Sequence, residues 1–171
     1  LGYLLSEASQ LPEHLVIKAE SCFKKAFPNI TNFRSPRALG FVLKGLYFYQ
    51  KNRKETTYTA IAQKLADELL RIFHISADNQ WEWFEDYLTY ANSVLPDALL
   101  YAWRITKDQR YREVAEITFD FLLSQYFMKG QITVISNDGW FHKRNKRVFY
   151  GEQPIEVAYT ILSLDLFYKV T

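Results

Sequence analysis

Leu95-Pro96-Asp97-Ala98-Leu99 reads as the opening of a helix, and two more stretches repeat its form, Ser35-Pro36-Arg37-Ala38-Leu39 and Gln153-Pro154-Ile155-Glu156-Val157. Proline suits the first helical position because its missing N–H would have no partner within the helix there. The three prolines stand 60 and 58 residues apart. A second run in each unit also matches, beginning at Ala19, Ala62 and Ala115. Helical spacing of apolar residues covers roughly 13–27, 36–50, 56–74, 94–106, 109–127 and 154–170, and residues 1–8 look like the tail of a further helix. The expected class is all-α, built from helical-hairpin repeats in which each pair buries its face against its neighbours.

The period is longer than the roughly 34 residues of a tetratricopeptide or the roughly 40–47 of HEAT and armadillo units, which disfavours an open solenoid. A closed ring of hairpins, an (α/α)6 toroid, fits better. A ring of about six such hairpins needs roughly twice this chain length. Residues 1–171 are therefore expected to form a single domain, the central part of a larger toroid that continues beyond both ends.

Composition narrows the function. With 21 Lys and Arg against 19 Asp and Glu, the net charge is only +2, and a dedicated nucleic-acid binder with a concentrated basic excess is not expected. Six glycines and five prolines leave few tight turns. A lone cysteine, Cys22, rules out an intrachain disulfide and any multi-cysteine metal site, and fits a reducing, cytoplasmic setting. No apolar run reaches the length of a membrane span, so no membrane partner is expected. Aromatic residues make up 17% of the chain, with 13 Phe, 12 Tyr and 4 Trp.

Loop lengths separate two rims. The connections after the proline-type helices, 51–55 and 107–108, are short, whereas those before them, 28–35, 75–93 and 129–153, are long. Long loops in a helical array are the usual carriers of function. The last one alternates in Gln131-Ile132-Thr133-Val134-Ile135 and in Arg147-Val148-Phe149-Tyr150, with the turn signal Asn137-Asp138-Gly139 between them, so a small β-ribbon is expected.

The densest constellation is Trp81-Glu82-Trp83-Phe84-Glu85-Asp86-Tyr87-Leu88-Thr89-Tyr90-Ala91-Asn92, in the loop before Pro96. Aromatic faces cover the C–H faces of a pyranose while acids and amides take its hydroxyls, so this mixture suits a sugar. Paired carboxylates are also the usual machinery of glycosidic cleavage. Glu85 and Asp86 are adjacent and rarely face one point, so the second acid is sought one repeat later, at Glu152 or Glu156. The blander alternative packs Trp81, Trp83, Phe84 and Tyr87 into the core and leaves the acids solvated. Trp140, Phe141 and His142 either overhang the same rim or pin the ribbon. The basic run from His142 to Arg147 reads as a solvated edge. His14, His74 and His142 lie far apart, so neither a metal nor another cofactor is expected. Nucleophile-elbow, Walker A, dinucleotide and Asp-rich terpenoid motifs are all missing.

Trp81-x-Trp83-Phe84-Glu85-Asp86-x-Leu88-Thr89-Tyr90-x-Asn92-x-x-Leu95-Pro96, with Ser35-Pro36-Arg37 before it and Gln153-Pro154-x-Glu156 after it, resembles the helical toroid domain of bacterial glycosyltransferase-like proteins. That fold is similar to the six-hairpin glycosidases and the sugar 2-epimerases, and in the family it often follows a glycosyltransferase module. The resemblance implies a carbohydrate ligand, a possible transferase domain in the same polypeptide, and a central cup lined by Arg37, Trp81, Trp83, Glu85, Asp86, Tyr90, Asn92, Trp140, Gln153 and Glu156. Ala91 departs from the family pattern, which commonly carries an acid there, and this favours binding without turnover.

The sequence thus leads to a carbohydrate-active domain. Glu85 or Asp86 would act as general acid and Glu156 as base or positioning acid. Trp81, Trp83 and Trp140 would be stacking walls, with Arg37, Tyr90, Asn92 and Gln153 as further ligand contacts. The alternative is a non-catalytic module that holds a glycan or a partner transferase.

Overall fold

The computed structural model describes residues 1–51, 53, 58–128 and 130–171, and the chain is mostly helical. Among the described residues the helices are α1 (Gly2–Ser6), α2 (Glu13–Ala26), α3 (Pro36–Gln50), α4 (Thr59–Ser76), α5 (Val94–Thr106), α6 (Gln109–Tyr126) and α7 (Pro154–Val170). Where they fall among the described residues, the expected boundaries agree to within about two residues, the margin to which helix ends are usually defined. Residues 52, 54–57 and 129 lie outside the described residues. With them go most of the short 51–55 connection, the first residues expected of the 56–74 helix and the start of the 129–153 loop.

Pro36 and Pro154 occupy first-turn positions as expected, with Ser35 and Gln153 as N-caps. Pro96 differs: α5 begins two residues earlier, at Val94, and the proline sits in third place. It still precedes the first residue that could donate within the helix, so the ring costs no hydrogen bond.

Burial patterns explain the stacking. On α4, Ala62, Leu65, Ala66, Leu69, Leu70 and Phe73 form one apolar stripe. On α5 every residue from Val94 to Ala102 is buried, the mark of a helix enclosed on all sides. Accordingly α5 packs against α3, α4, α6 and α7. α1 lies on α3, α3 on α5 and α5 on α7, while α4 and α6 back this row and α2 packs on α1. Gly2 is required at the α1–α3 crossing, because a Cβ there would stand 2.0 Å from the Gly45 carbonyl oxygen. The α5–α6 turn is equally tight. Lys107 caps α5 in the left-handed region at φ 65°, and the Asp108 carboxylate accepts from the Arg110 amide at 3.1 Å to start α6.

α7 is unusual in what it buries. Its inward stripe is Glu156, Thr160, Ser163, Leu166 and Phe167, whereas Ile161, Leu162 and Tyr168 are exposed.

The β-ribbon forms with other partners than expected. β2 (Phe127–Met128) pairs antiparallel with β3 (Gln131–Ile132), and β1 (Tyr87–Leu88) pairs with β4 (Phe141–His142). Arg147 to Tyr150 form no strand; among the described residues the backbone pairing of the returning chain with the other arm is one isolated bridge, Ser136 to Glu152. The physical reason is the Arg147 side chain. It crosses under the loop, and its guanidinium donates to the carbonyls of Gln125, Thr133 (2.5 Å) and Val134 (3.0 Å). Those acceptors replace a ladder. The basic run is therefore not a solvated edge throughout: Arg147 is a half-buried clasp, and Lys143 bonds the Ser76 carbonyl at 2.7 Å and the Asp78 carboxylate at 3.0 Å.

Candidate functional site

The pairing of β1 with β4 brings the loop before α5 and the loop before α7 together over the N-terminus of α3. A cleft of about 380 Å³ opens there, lined by Ser35, Arg37, Glu85, Tyr87, Thr89, Tyr90, Trp140 and His142. Its volume lies within the range of small-molecule sites.

Arg37, in the first turn of α3, forms the floor. Its Nη1 donates to Glu85 Oε2 at 2.5 Å, Nη2 to Asn92 Oδ1 at 3.1 Å, and Nε to the Tyr90 carbonyl at 2.9 Å. The two charged side chains are only 10% and 12% exposed, so the pair is held in a largely dry setting. Tyr87 lies against Glu85, whose negative charge, with burial second, raises the pKa of the phenol. Tyr90 and Trp140 form the walls, with ring centroids 6.1 Å apart and planes tilted by 47°. The Arg37 guanidinium lies 5.3 Å from the centre of the Tyr90 ring, within cation–π range. Tyr90 remains 48% exposed, leaving an aromatic face for a ligand.

Behind the floor is a buried polar network. Asn92 is fully buried and bonds in five directions. Its Oδ1 accepts from the Thr89 amide as well as from Arg37, and its Nδ2 donates to the Thr89 carbonyl, the Tyr126 hydroxyl and Glu156 Oε1. Glu156, 1% exposed, accepts on Oε1 from the Asn92 amide at 3.1 Å, from Asn92 Nδ2 at 3.0 Å and from the Tyr126 hydroxyl. Burial raises the pKa of its carboxyl, and the bonds from Tyr126 and the amides of Asn92 and Ala91 oppose that shift. Burial first, then the Glu156 charge, pushes the Tyr126 phenol well above its ordinary value. Ala91 holds φ 48°, a left-handed conformation that is strained for a residue with a Cβ; it turns the chain so that Asn92 points inward.

The ten residues singled out from the sequence divide. Arg37, Glu85, Tyr90 and Trp140 meet at the cleft. Asn92 and Glu156 lie behind it and support it. Asp86 is 76% exposed and turned to the neighbouring surface, 3.9 Å from Lys143. Gln153 is half-buried as the N-cap of α7 and does not line the cleft. Trp81 and Trp83 are corrections: neither is a stacking wall. Trp83 is 0% exposed, tilted against Phe121 and edge-on to Phe84, and Trp81 packs on Phe121 and Phe141 while its Nε1 donates to the Glu85 carbonyl at 2.7 Å. Their apolar area anchors the 77–93 loop in the core, which is what fixes Glu85 beneath the cleft. Glu152 is exposed.

The acid–base pair is likewise corrected. Of Glu85, Asp86 and Glu156, only Glu85 lines the cleft, and it is engaged by Arg37. Ser35, Thr89 and Tyr126 were not anticipated. The first two stand within the Ser35-Pro36-Arg37 and Leu88-Thr89-Tyr90 stretches but carry no chemistry that singles them out, and Tyr126 reads only as the last apolar position of α6. Among the described residues no three His, Cys, Asp or Glu side chains gather to hold a metal ion, and no helix is long and apolar enough to cross a membrane.

A larger groove of about 740 Å³ runs between α1, α3, α5 and α7, but none of the ten residues line it. Comparison with family models, curated proteins and solved structures finds no match to this chain.

Proposed function

We propose that this chain is a carbohydrate-binding helical-hairpin domain, part of an (α/α) toroid, that holds a glycan in the cleft between Tyr90 and Trp140. The observation that carries the reading is the combination at one place of two tilted aromatic walls and a floor of acceptor and donor groups, Glu85 and Arg37. Ring faces take the apolar face of a pyranose, and a carboxylate with a guanidinium takes its hydroxyls. The resemblance to toroid domains of glycosyltransferase-like proteins agrees with this reading and suggests a transferase domain as the partner, in a cytoplasmic protein. Binding is favoured over turnover because one carboxylate, not two, lines the cleft.

The test is intrinsic fluorescence. Trp81 and Trp83 are buried, and Trp140 lines the cleft. Titration with neutral mono- and oligosaccharides should give a saturable change that Trp140→Phe abolishes while circular dichroism stays native. A flat response to a broad panel defeats the proposal.

A further inference from the structure

An anion already resides in this cleft. Glu85 occupies the position where both the Arg37 guanidinium and the positive end of α3 would draw a negative ligand group. Arg37 is the one Lys or Arg lining the cleft among the described residues, and three of its five N–H donors are already used, on Glu85, Asn92 and Tyr90. Lys143, next to His142 in the loop above, is directed to Asp78 and the Ser76 carbonyl instead. Asp86 lies outside the cleft. The remaining titratable groups on its wall are the Tyr87 and Tyr90 phenols and the His142 imidazole, none of which supplies a permanent positive charge.

From this arrangement we infer that Glu85 makes the cleft selective for uncharged sugar units and is its specificity-determining residue, excluding uronic acids and other acidic sugars. The inference rests on the reading of the cleft as a sugar site. An acidic sugar would bring a second carboxylate beside Glu85, with no unpaired cation to receive it. A neutral sugar loses nothing: its hydroxyls can donate to Glu85 and accept from the two N–H groups that Arg37 has left. Removing the Glu85 charge while keeping its shape should largely erase the preference or reverse it. In Glu85→Gln the guanidinium and the α3 N-terminus face the cleft without a counterion, and a sugar carboxylate can then be received by the two N–H groups that Arg37 has left.

The experiment compares matched pairs that differ only at C6: glucose with glucuronate, galactose with galacturonate, and mannose with mannuronate. Isothermal calorimetry and Trp140 fluorescence are read at pH 8. For the unmodified chain, the neutral member of the pair that binds should be at least about tenfold tighter, equivalent to about 1.4 kcal/mol. In Glu85→Gln the ratio should fall to about threefold or less, or reverse. A uronate that binds the unmodified chain as well as its neutral partner overturns the inference and leaves the sugar site standing. Silence from every sugar, neutral and acidic, overturns the sugar reading itself. Should Glu85→Gln fold and keep the full tenfold preference, Glu85 is not the determinant. Should it fail to fold, the comparison on the unmodified chain still decides the selectivity.

Discussion

Replacing Asp97 by asparagine should stabilise this protein at neutral pH and change little in acid. Asp97 lies in the first turns of α5 with its side chain only 2% exposed; Lys44 Nζ of α3 is 3.9 Å away, and one carboxylate oxygen has no partner among the described residues. Burial pushes its pKa from 3.8 up to about 6, against the weaker pull of the Ser163 hydroxyl of α7 and the Lys44 charge. A carboxyl raised in this way keeps its proton in the folded chain after the unfolded chain has lost it. Between about pH 4 and pH 6 the folded state therefore binds more protons, and stability falls as pH rises through that window. A shift of about two units at 1.36 kcal/mol each gives a loss of about 3 kcal/mol, complete above about pH 6. Asparagine cannot ionise and escapes that loss. Urea denaturation of both proteins at unit steps from pH 4 to pH 8 should show Asp97→Asn gaining up to about 3 kcal/mol at the neutral end and almost nothing at pH 4. A difference that does not vary with pH, or one that favours the asparagine only in acid, would refute the assignment of burial as the dominant cause.

Three further outcomes separate core from cleft. Trp83→Ala should cost about 3–5 kcal/mol of stability as a large buried ring lost from the core, whereas Trp140→Ala, at a half-buried ring on the edge of the core, should lower the urea midpoint much less and abolish saccharide binding; equal effects of the two on stability would contradict the placement of either ring. Asn92→Ala removes one partner each from Arg37, Glu156 and Tyr126 at once, and should lower stability by about 3 kcal/mol in denaturant titrations, since several buried hydrogen bonds are lost together. Arg147→Met keeps the stem but loses the bonds to Gln125, Thr133 and Val134, so proteolysis within 127–153 should quicken and saccharide affinity fall although Arg147 touches no ligand; unchanged cleavage and affinity would show that the clasp does not hold the Trp140 wall.

The helices were legible because their cause is local. Apolar periodicity and the helix-opening prolines act within a few residues, so α3, α6 and α7 fall where the pattern puts them. The small sheets were not, because strands of two residues are set by what the chain meets in space: Phe141 and His142 find Tyr87 and Leu88, more than fifty positions away in sequence. The Trp81 to Asn92 stretch was legible as the centre of the site and illegible in its detail. Aromatics beside acids have the same composition whether the rings face a ligand or the core, and only packing against Phe121, Phe84 and Phe141 decides that Trp81 and Trp83 go inward. Glu156 was found from its place after Pro154, but its burial depends on Tyr126 and Asn92, which come from other elements.

That burial also decides what Glu156 does. Its Oε1 collects the Asn92 and Tyr126 donors while Oε2 meets no partner among the described residues, and desolvation outweighs the bonds that favour its charge. The network thus uses the carboxyl as an acceptor that fixes Asn92, through which it orients Arg37 and the Glu85 floor. A neutral acceptor of the same shape can do that work. Glu156→Gln should hold stability within about 1 kcal/mol, because it keeps an oxygen for Asn92 and Tyr126. Saccharide affinity should stay within about threefold. Glu156→Ala should lose about 3 kcal/mol or more, and weaken binding, because the Asn92 and Tyr126 donors are then left buried and unpaired. Denaturant titrations and calorimetry on both variants separate the cases. If glutamine proves as damaging as alanine, the negative charge itself is needed at this position, and Glu156 is more than a positioning group.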